Sequence, residues 1–164
     1  MRTDRSRSLS EFVTDTLETG AIASTATTVA ASVLGAAELG NPVSPLNAVS
    51  HILWGDRAAF VDELTAKHTV TGVALNSAAV TTWAALYEAI AGRRARRTRR
   101  TQSDVQHSLL AGVAVAGVAY VVDYYLVPRR LTPGFEKRLS NSALFGIYAT
   151  LASSLGLGGL MRRR

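Results

Sequence analysis

Four long stretches of the chain contain no Asp, Glu, Lys or Arg, and the charged residues are confined to the segments between them. The uncharged stretches are residues 19–37, 69–87, 105–122 and 139–161. An α-helix of about 20 residues crosses a hydrocarbon core of about 30 Å, because each residue adds about 1.5 Å. A soluble helical protein would instead need a charged face along each helix, and none of the four stretches has one. The pattern therefore predicts an all-α integral membrane protein.

We expect residues 1–164 to form a single transmembrane domain, a four-helix bundle. Its spans are predicted at about residues 17–39, 68–91, 105–127 and 139–161. The composition agrees, because 48% of the residues are hydrophobic and 18% are charged, against a usual charged share of about a quarter. The first span is the least hydrophobic of the four, since Ala, Ser, Thr and Gly dominate it.

The basic residues are unevenly divided between the two sides of the predicted bundle. Three arginines lie in the amino-terminal tail, six in the loop between spans two and three, and three at the carboxyl terminus, whereas the first and third loops together carry six basic residues. Because cytoplasmic loops are the richer in Lys and Arg, twelve against six predicts that both termini and the Arg-rich loop 92–104 are cytoplasmic. The chain has 16 arginines and only two lysines, with abundant Ala and Gly, which favours a GC-rich bacterial genome and hence the bacterial inner membrane.

The Arg-rich loop resembles a nucleic-acid-binding run. Its arginines are Arg93, Arg94, Arg96, Arg97, Arg99 and Arg100. Because the run lies between two predicted spans, orientation and attraction to anionic lipid, about 1 kcal/mol per residue near the surface, account for it. We therefore expect the lipid bilayer, and anionic lipids at this loop, as partners, and no nucleic acid.

The outer loop, residues 40–67, is predicted to be ordered. Ser44 and Pro45 fit an N-cap followed by proline at the first helical position. The apolar residues that follow at three- and four-residue spacing are Leu46, Val49, Ile52 and Leu53. With Trp54 behind them, they predict a short amphipathic helix in the outer membrane interface. A second short helix is predicted from Phe60, Val61 and Leu64.

Small residues predict where the spans meet, because close packing and interhelical hydrogen bonds hold helices together in lipid. In span one they recur every four residues, at Gly20, Ser24, Thr28, Ser32 and Ala36. This stripe predicts that span one is the central helix. Asn76, in the middle of span two, is expected to donate a hydrogen bond to a neighbouring helix.

Ionisable residues gather near both ends of the predicted bundle. At the outer end they are Asp123, Glu38, His51 and His68, and at the inner end Glu18, Glu88 and His107. Imidazoles and carboxylates that converge suit a Zn²⁺ or Mn²⁺ site, but no pair has the spacing of a metal motif. The alternative is that the outer residues serve as anchors, helix caps and headgroup contacts. For the inner set the alternatives are pH sensing, through His107, and plain helix-end polarity.

Asp123 differs from the others because it is predicted to lie inside span three. An ionisable group within a membrane is costly and is a functional candidate for that reason. The alternative is a structural hydrogen bond or ion pair with Arg129 or Arg130.

The sequence offers no catalytic motif, and the absence of cysteine excludes disulfides and thiolate sites. We therefore expect a non-enzymatic bundle without a cofactor, acting as a homo-oligomer or as an accessory to another membrane protein. A small transporter or channel with Asp123 in its polar path is the second hypothesis. A metal- or haem-binding membrane protein is the third.

Overall fold

The computed structural model describes residues 8–92 and 102–161, and every regular element within them is helical. The long helices are α1 (Leu9–Leu39), α4 (Thr71–Ile90), α5 (Gln102–Val121) and α6 (Asn141–Met161). Two short helices, α2 (Ser44–Val49) and α3 (His51–Trp54), lie between α1 and α4 in the chain. The predicted all-α class is confirmed for the described part of the chain.

Three helices among the described residues are long and apolar enough to cross a membrane. They are Leu9–Leu39, Asn141–Met161 and Gln102–Leu126, in which α5 continues into a π turn at Val122–Leu126. The fourth long helix, α4, has 20 residues and is not among them, so the prediction that the first span is the least hydrophobic of the four is wrong. The described chain is thus a helical bundle with three helices suited to a bilayer.

The first helix begins earlier than the predicted span. Its N-cap is Ser8, whose Oγ accepts a hydrogen bond from the Glu11 N–H at 3.2 Å, while the Ser8 N–H donates to Glu11 Oε2 at 2.9 Å. This reciprocal capping box satisfies two backbone donors that would otherwise lack partners. The uncharged stretch marked only the apolar part of the helix, so the polar first turns were missed.

Glycines at one end of α6 allow three other helices to approach it closely. A Cβ at Gly156 would press on Leu109 of α5, one at Gly158 would touch Thr19 of α1, and one at Gly159 would collide with Tyr87 of α4. Consistent with this, 56% of the residues in the apolar stretch of α6 are buried inside the protein, against 33% in the corresponding stretch of α1. The prediction that span one is the central helix is therefore wrong, since α6 is the more enclosed.

The four-residue stripe predicted along α1 leaves the interface as the helix proceeds. Gly20 and Ser24 are buried, but Ser32 is half-buried and Ala36 is exposed. The buried face instead follows Thr16, Gly20, Ala23, Thr27, Ala31 and Gly35. The reason is one of register: after a single three-residue step from Gly20 to Ala23, the buried face keeps the four-residue spacing but lies one position earlier than the predicted stripe.

Asn76 makes the interhelical contact predicted for it. Its Nδ2 donates to Thr27 Oγ1 at 3.4 Å and to Thr28 Oγ1 at 3.3 Å, both on α1. The amide thus finds partners inside the bundle, where an unsatisfied polar group would be costly.

In place of one amphipathic helix, the first connection has two short helices, α2 and α3, and only α3 exposes apolar side chains, Leu53 and Trp54. All six residues of α2 are buried, and Ser44 is the first helical residue rather than an N-cap. Glycines of three segments surround α2: Gly35 of α1 faces the ring of Pro45, Gly72 of α4 faces the Leu46 carbonyl, and Gly134 faces the Ala48 carbonyl. An amphipathic surface helix would keep one exposed face, whereas α2 is buried between α1 and α4.

The second predicted helix is also absent from the described structure of this connection. Asp56–Phe60 form a 3-10 helix that ends before Val61, and Phe60 and Leu64 are exposed. Their apolar spacing was too short a run to distinguish a helix from exposed loop positions.

Two glycines of α5 give a matched test of this packing. Gly112→Ala places a methyl group against the backbone of Ala152 and Gly156, which cannot move aside, whereas nothing lies within 4 Å of a Cβ at Gly117. We expect Gly112→Ala to lower the free energy of unfolding by about 1–3 kcal/mol. Gly117→Ala should change it by no more than about 1 kcal/mol. Thermal or denaturant unfolding in detergent measures both, and equal effects would contradict the packing described.

Candidate functional site

The cap, defined as residues 40–67 and 127–140, closes one end of the bundle and contains a cavity of about 540 Å³. The cavity is lined by His51, Gly55, Asp56, Tyr124, Arg129, Arg130, Thr132, Glu136 and Lys137. These residues come from the first connection, the end of the α5 helix and the third connection. The cavity, called here the cap pocket, is within the size range of small-molecule sites, about 300–1,000 Å³.

His51 is held in one orientation at the wall of the cap pocket. Its side chain is 1% exposed, and its Nδ1 lies 2.8 Å from the carbonyl oxygen of Ala48. A carbonyl can only accept, so Nδ1 carries the proton and donates it, and Nε2 of the neutral ring is left as an acceptor. Nε2 has no hydrogen-bond partner among the described residues.

Gly134 fixes the third connection against this histidine. Its φ of 86° lies in the left-handed region, and a Cβ there would approach the Ala48 carbonyl oxygen at 2.6 Å and His51 Nδ1 at 2.8 Å. Glycine is therefore required by the backbone conformation and by the space. Through this contact the third connection forms one side of the pocket.

Two further residues that line the pocket, like His51, carry a buried polar atom without a hydrogen-bond partner. The Tyr124 hydroxyl and Glu136 Oε2 are buried and have no hydrogen-bond partner within the described ranges. The other carboxylate oxygen of Glu136 accepts a hydrogen bond from Thr132 Oγ1 at 2.6 Å. Buried polar side-chain atoms usually have a partner, so three unsatisfied atoms in the wall of one cavity are unusual.

The pocket is also rich in charge. Arg129 and Arg130 are exposed at its rim, and Lys137 Nζ contacts Asp56 Oδ1 at 2.5 Å. The hydrogen bond and charge of Lys137 lower the pKa of Asp56 below its ordinary value. Because Asp56 is largely exposed, solvent screens this pair, and its main effect is to position Lys137. Neither rim arginine forms an ion pair with another described residue.

A second charged contact joins the two connections of the cap. Arg138 donates to Asp62 Oδ1 at 2.5 Å, and Ser44 Oγ donates to the same oxygen at 2.5 Å. The Ser44 hydrogen bond, with Arg138, lowers the pKa of Asp62. The first connection is tied down further by buried Asn47, whose Nδ2 donates to the carbonyl oxygens of Val61 and Glu63 at 2.8 and 2.9 Å.

The four predicted residues of this end do not converge. Glu38 caps α6, accepting from the N–H of Ser140 at 2.9 Å and from its Oγ at 2.5 Å. His68 Nδ1 lies 3.3 Å from Ser50 Oγ, outside the pocket that contains His51. In residues 8–92 and 102–161 no three His, Cys, Asp or Glu side chains are grouped closely enough to hold a metal ion.

Asp123 pairs with a tyrosine and not with Arg129 or Arg130. It lies in the π turn Val122–Leu126, and its Oδ2 accepts from the Tyr148 hydroxyl of α6 at 2.7 Å. Tyr120 stacks edge-on against Tyr148, with ring centroids 5.3 Å apart. Such π turns are frequent at functional sites, and here the turn presents Asp123 to α6 and Tyr124 to the cap pocket.

Asp123 also borders a second, smaller cavity within the bundle. This cavity has a volume of about 80 Å³, and its polar lining includes Asn76, Asp123 and Tyr148. It lies between helices, below the cap pocket, and the side chains around it are mostly apolar.

At the opposite end, the three predicted residues differ in burial. Glu88 is fully buried and accepts a hydrogen bond from Thr19 Oγ1 at 2.8 Å, while His107 is half-buried and Glu18 is exposed. The buried carboxylates Asp15 and Asp104, which sequence reasoning did not select, lie on the helices of this end. All six arginines of the Arg-rich loop lie outside the described residues.

Sequence reasoning missed most of the cap pocket. It used Arg129 and Arg130 as charges that set topology and as possible partners of Asp123, and it did not single out Asp56, Glu136 or Gly134. One signal was present: the third connection carries four basic residues on the side where few are expected. The structure gives them local roles, at the pocket rim and in the two ion pairs.

Comparison with protein-family models, curated proteins and solved structures gave no match. The site is therefore argued from its own geometry.

Proposed function

We propose that this protein is a non-enzymatic, four-span protein of the bacterial inner membrane that binds a small polar ligand in the cap pocket. The observation that carries the proposal is the set of three buried, unpartnered polar atoms in the wall of one cavity. Leaving such a group unsatisfied costs about 1–3 kcal/mol, so a molecule that supplies hydrogen-bond partners is favoured there. The absence of a catalytic motif supports binding rather than chemistry.

We propose α4 as the fourth membrane-spanning helix. At about 1.5 Å per residue its 20 residues measure about 30 Å, and its charged residue, Glu88, is buried against α1. The proposed orientation places the cap outside and the Arg-rich loop in the cytoplasm, following the distribution of basic residues.

Single cysteines test this topology, because the chain has no cysteine of its own. We expect a membrane-impermeant maleimide to label Leu64→Cys in intact cells and to label Leu9→Cys and Ser103→Cys only after permeabilisation. Leu64 is 76% exposed and Leu9 78% exposed, so both sites are accessible to the reagent. Residues 64 and 103 lie on opposite sides only if α4 crosses the membrane. Labelling of Leu64→Cys and Ser103→Cys from the same side would contradict four spans.

Native mass spectrometry of the gently solubilised protein tests ligand binding. We expect an adduct of defined mass at one per chain, lost when Arg129 and Arg130 are both changed to Gln. Arg57→Gln is the matched control, since Arg57 is an exposed arginine of the cap that does not line the pocket. Lipid adducts of variable number that are identical in all three proteins would contradict the proposal.

The same spectra report the oligomeric state. A second copy or a partner protein is proposed to pack along α5 and α6, supported by a groove lined by Gly117, Ala149, Phe145 and other apolar residues. Gly117 is open there, with room for a Cβ, and Phe145 is 75% exposed. A strictly monomeric mass under gentle conditions would count against assembly.

A second candidate function is ion or proton transport, favoured by the small cavity that Asn76, Asp123 and Tyr148 border. At about 30 Å³ per water, its volume would hold two or three water molecules. Asp123→Asn should then reduce proton flux in liposomes at least severalfold, because the replacement cannot release a proton. Asp62→Asn, a carboxylate of the cap outside that cavity, is the control. Equal flux in wild type, Asp123→Asn and the control would remove this candidate.

A further inference from the structure

The unpartnered atoms of the cap pocket define the kind of group that satisfies them. In the neutral imidazole His51 Nε2 is the acceptor, because Nδ1 donates to Ala48, and Glu136 Oε2 is a carboxylate acceptor. The Tyr124 hydroxyl can accept as well as donate. A primary ammonium carries three N–H donors and a positive charge, which matches three acceptors of which one is anionic.

The rim of the pocket is positively charged and favours an anionic group. Arg129 and Arg130 are adjacent and exposed, while Lys137 is already paired with Asp56. Guanidinium groups bind phosphate oxygens through paired N–H donors. A ligand with its ammonium at His51, Tyr124 and Glu136 and its phosphate at Arg129 and Arg130 would use residues that line the same cavity.

The surroundings of the rim fit the headgroup region of a membrane. Arg129 and Arg130 follow directly on the membrane-length run Gln102–Leu126. Beside them Tyr125, Leu126 and Leu131 are 72%, 69% and 52% exposed. Exposed apolar side chains next to a polar pocket are suited to a molecule with an acyl part outside and a polar head inside.

From these observations we infer that the cap pocket binds a phosphoethanolamine group, a primary ammonium joined to a phosphate through two carbons. This inference rests on the proposed ligand-binding function and names its ligand class. The ammonium occupies the site formed by His51, Tyr124 and Glu136, and the phosphate contacts Arg129 and Arg130. Because the three acceptor atoms are screened from solvent, the ammonium reaches them only when neighbouring side chains of the pocket move.

The same group is available from two sources, the headgroup of phosphatidylethanolamine and free O-phosphoethanolamine. In the lipid the phosphate is a diester and the acyl chains stay in the bilayer. In the free compound the phosphate is a monoester with a greater negative charge. The test therefore uses both.

The first experiment compares lipids on the full-length, wild-type protein. The protein is placed in nanodiscs of phosphatidylglycerol with either phosphatidylethanolamine or phosphatidylcholine, and lipid bound per chain is read by native mass spectrometry. A trimethylammonium has no N–H donor, so we expect phosphatidylethanolamine to be retained at least about tenfold more than phosphatidylcholine. Free O-phosphoethanolamine and phosphocholine are compared in the same way by calorimetry in detergent.

Preference for the ethanolamine compound in either pair supports the inference and identifies the source. Equal retention of the ethanolamine and choline compounds in both pairs overturns it. If the chain instead retains another molecule at one per chain, sensitive to the change of both rim arginines, the ligand class is wrong while the proposed function stands. If nothing is retained stoichiometrically, both fail.

Glu136→Gln tests the ammonium site directly. The amide keeps the shape and can still accept from Thr132, but it removes the negative charge, so we expect phosphoethanolamine binding to weaken about tenfold. Glu63→Gln is the matched control, because Glu63 is an exposed carboxylate of the cap outside the pocket. Thermal unfolding of both variants shows whether they fold. A folded Glu136→Gln protein that keeps wild-type affinity and selectivity would overturn the assignment.

Discussion

The fold depends on how closely three helices approach the glycines at one end of α6. Within a bilayer the removal of apolar surface from water does not drive helices together, so van der Waals contact and interhelical hydrogen bonds must do so. Gly156, Gly158 and Gly159 lie successively against α5, α1 and α4. The buried Thr19–Glu88 hydrogen bond lies on the same two helices that meet Gly158 and Gly159. This end of the bundle is therefore closed by the backbone itself.

The cap end is organised by a different means. There α2 lies between α1 and α4, and polar contacts add to an apolar cluster that includes Leu46, Val49 and Phe135. Asn47 holds the first connection, two ion pairs join it to the third, and Gly134 presses the third connection against His51. A pocket with unsatisfied polar atoms can persist in such an assembly because its wall is built from several independent contacts. The two ends are thus held together by different kinds of contact.

The charge pattern predicted the helical class and the approximate place of each long helix, because uncharged runs of this length have few alternatives. The position of Asn76 within an apolar run also predicted an interhelical hydrogen bond, although not which helix supplies the partner. The charge pattern did not predict the position of α2. Leu46 and Val49 have the spacing of an amphipathic helix. The helix is buried because glycines of three segments distant in the sequence leave room for it.

The candidate site was harder to foresee for a related reason. Its residues lie up to 86 positions apart, from His51 to Lys137, and no local spacing connects them. Sequence reasoning selected His51 for its chemistry but paired it with Glu38 and His68, which the structure gives other contacts. The orientation of the imidazole depends on the Ala48 carbonyl and on the glycine opposite it, and neither has a recognisable motif.

The dependence of the cap on the third connection bears on how the protein is made. Synthesis proceeds from the amino terminus, so α1, α2 and α4 emerge before Gly134, Lys137 and Arg138 exist. Until those residues arrive, Asp56 and Asp62 lack their cationic partners, and one wall of the pocket is missing. The pocket is consequently completed only after the third connection has been synthesised. A chain truncated after α4 would lack both ion pairs and the glycine that contacts His51.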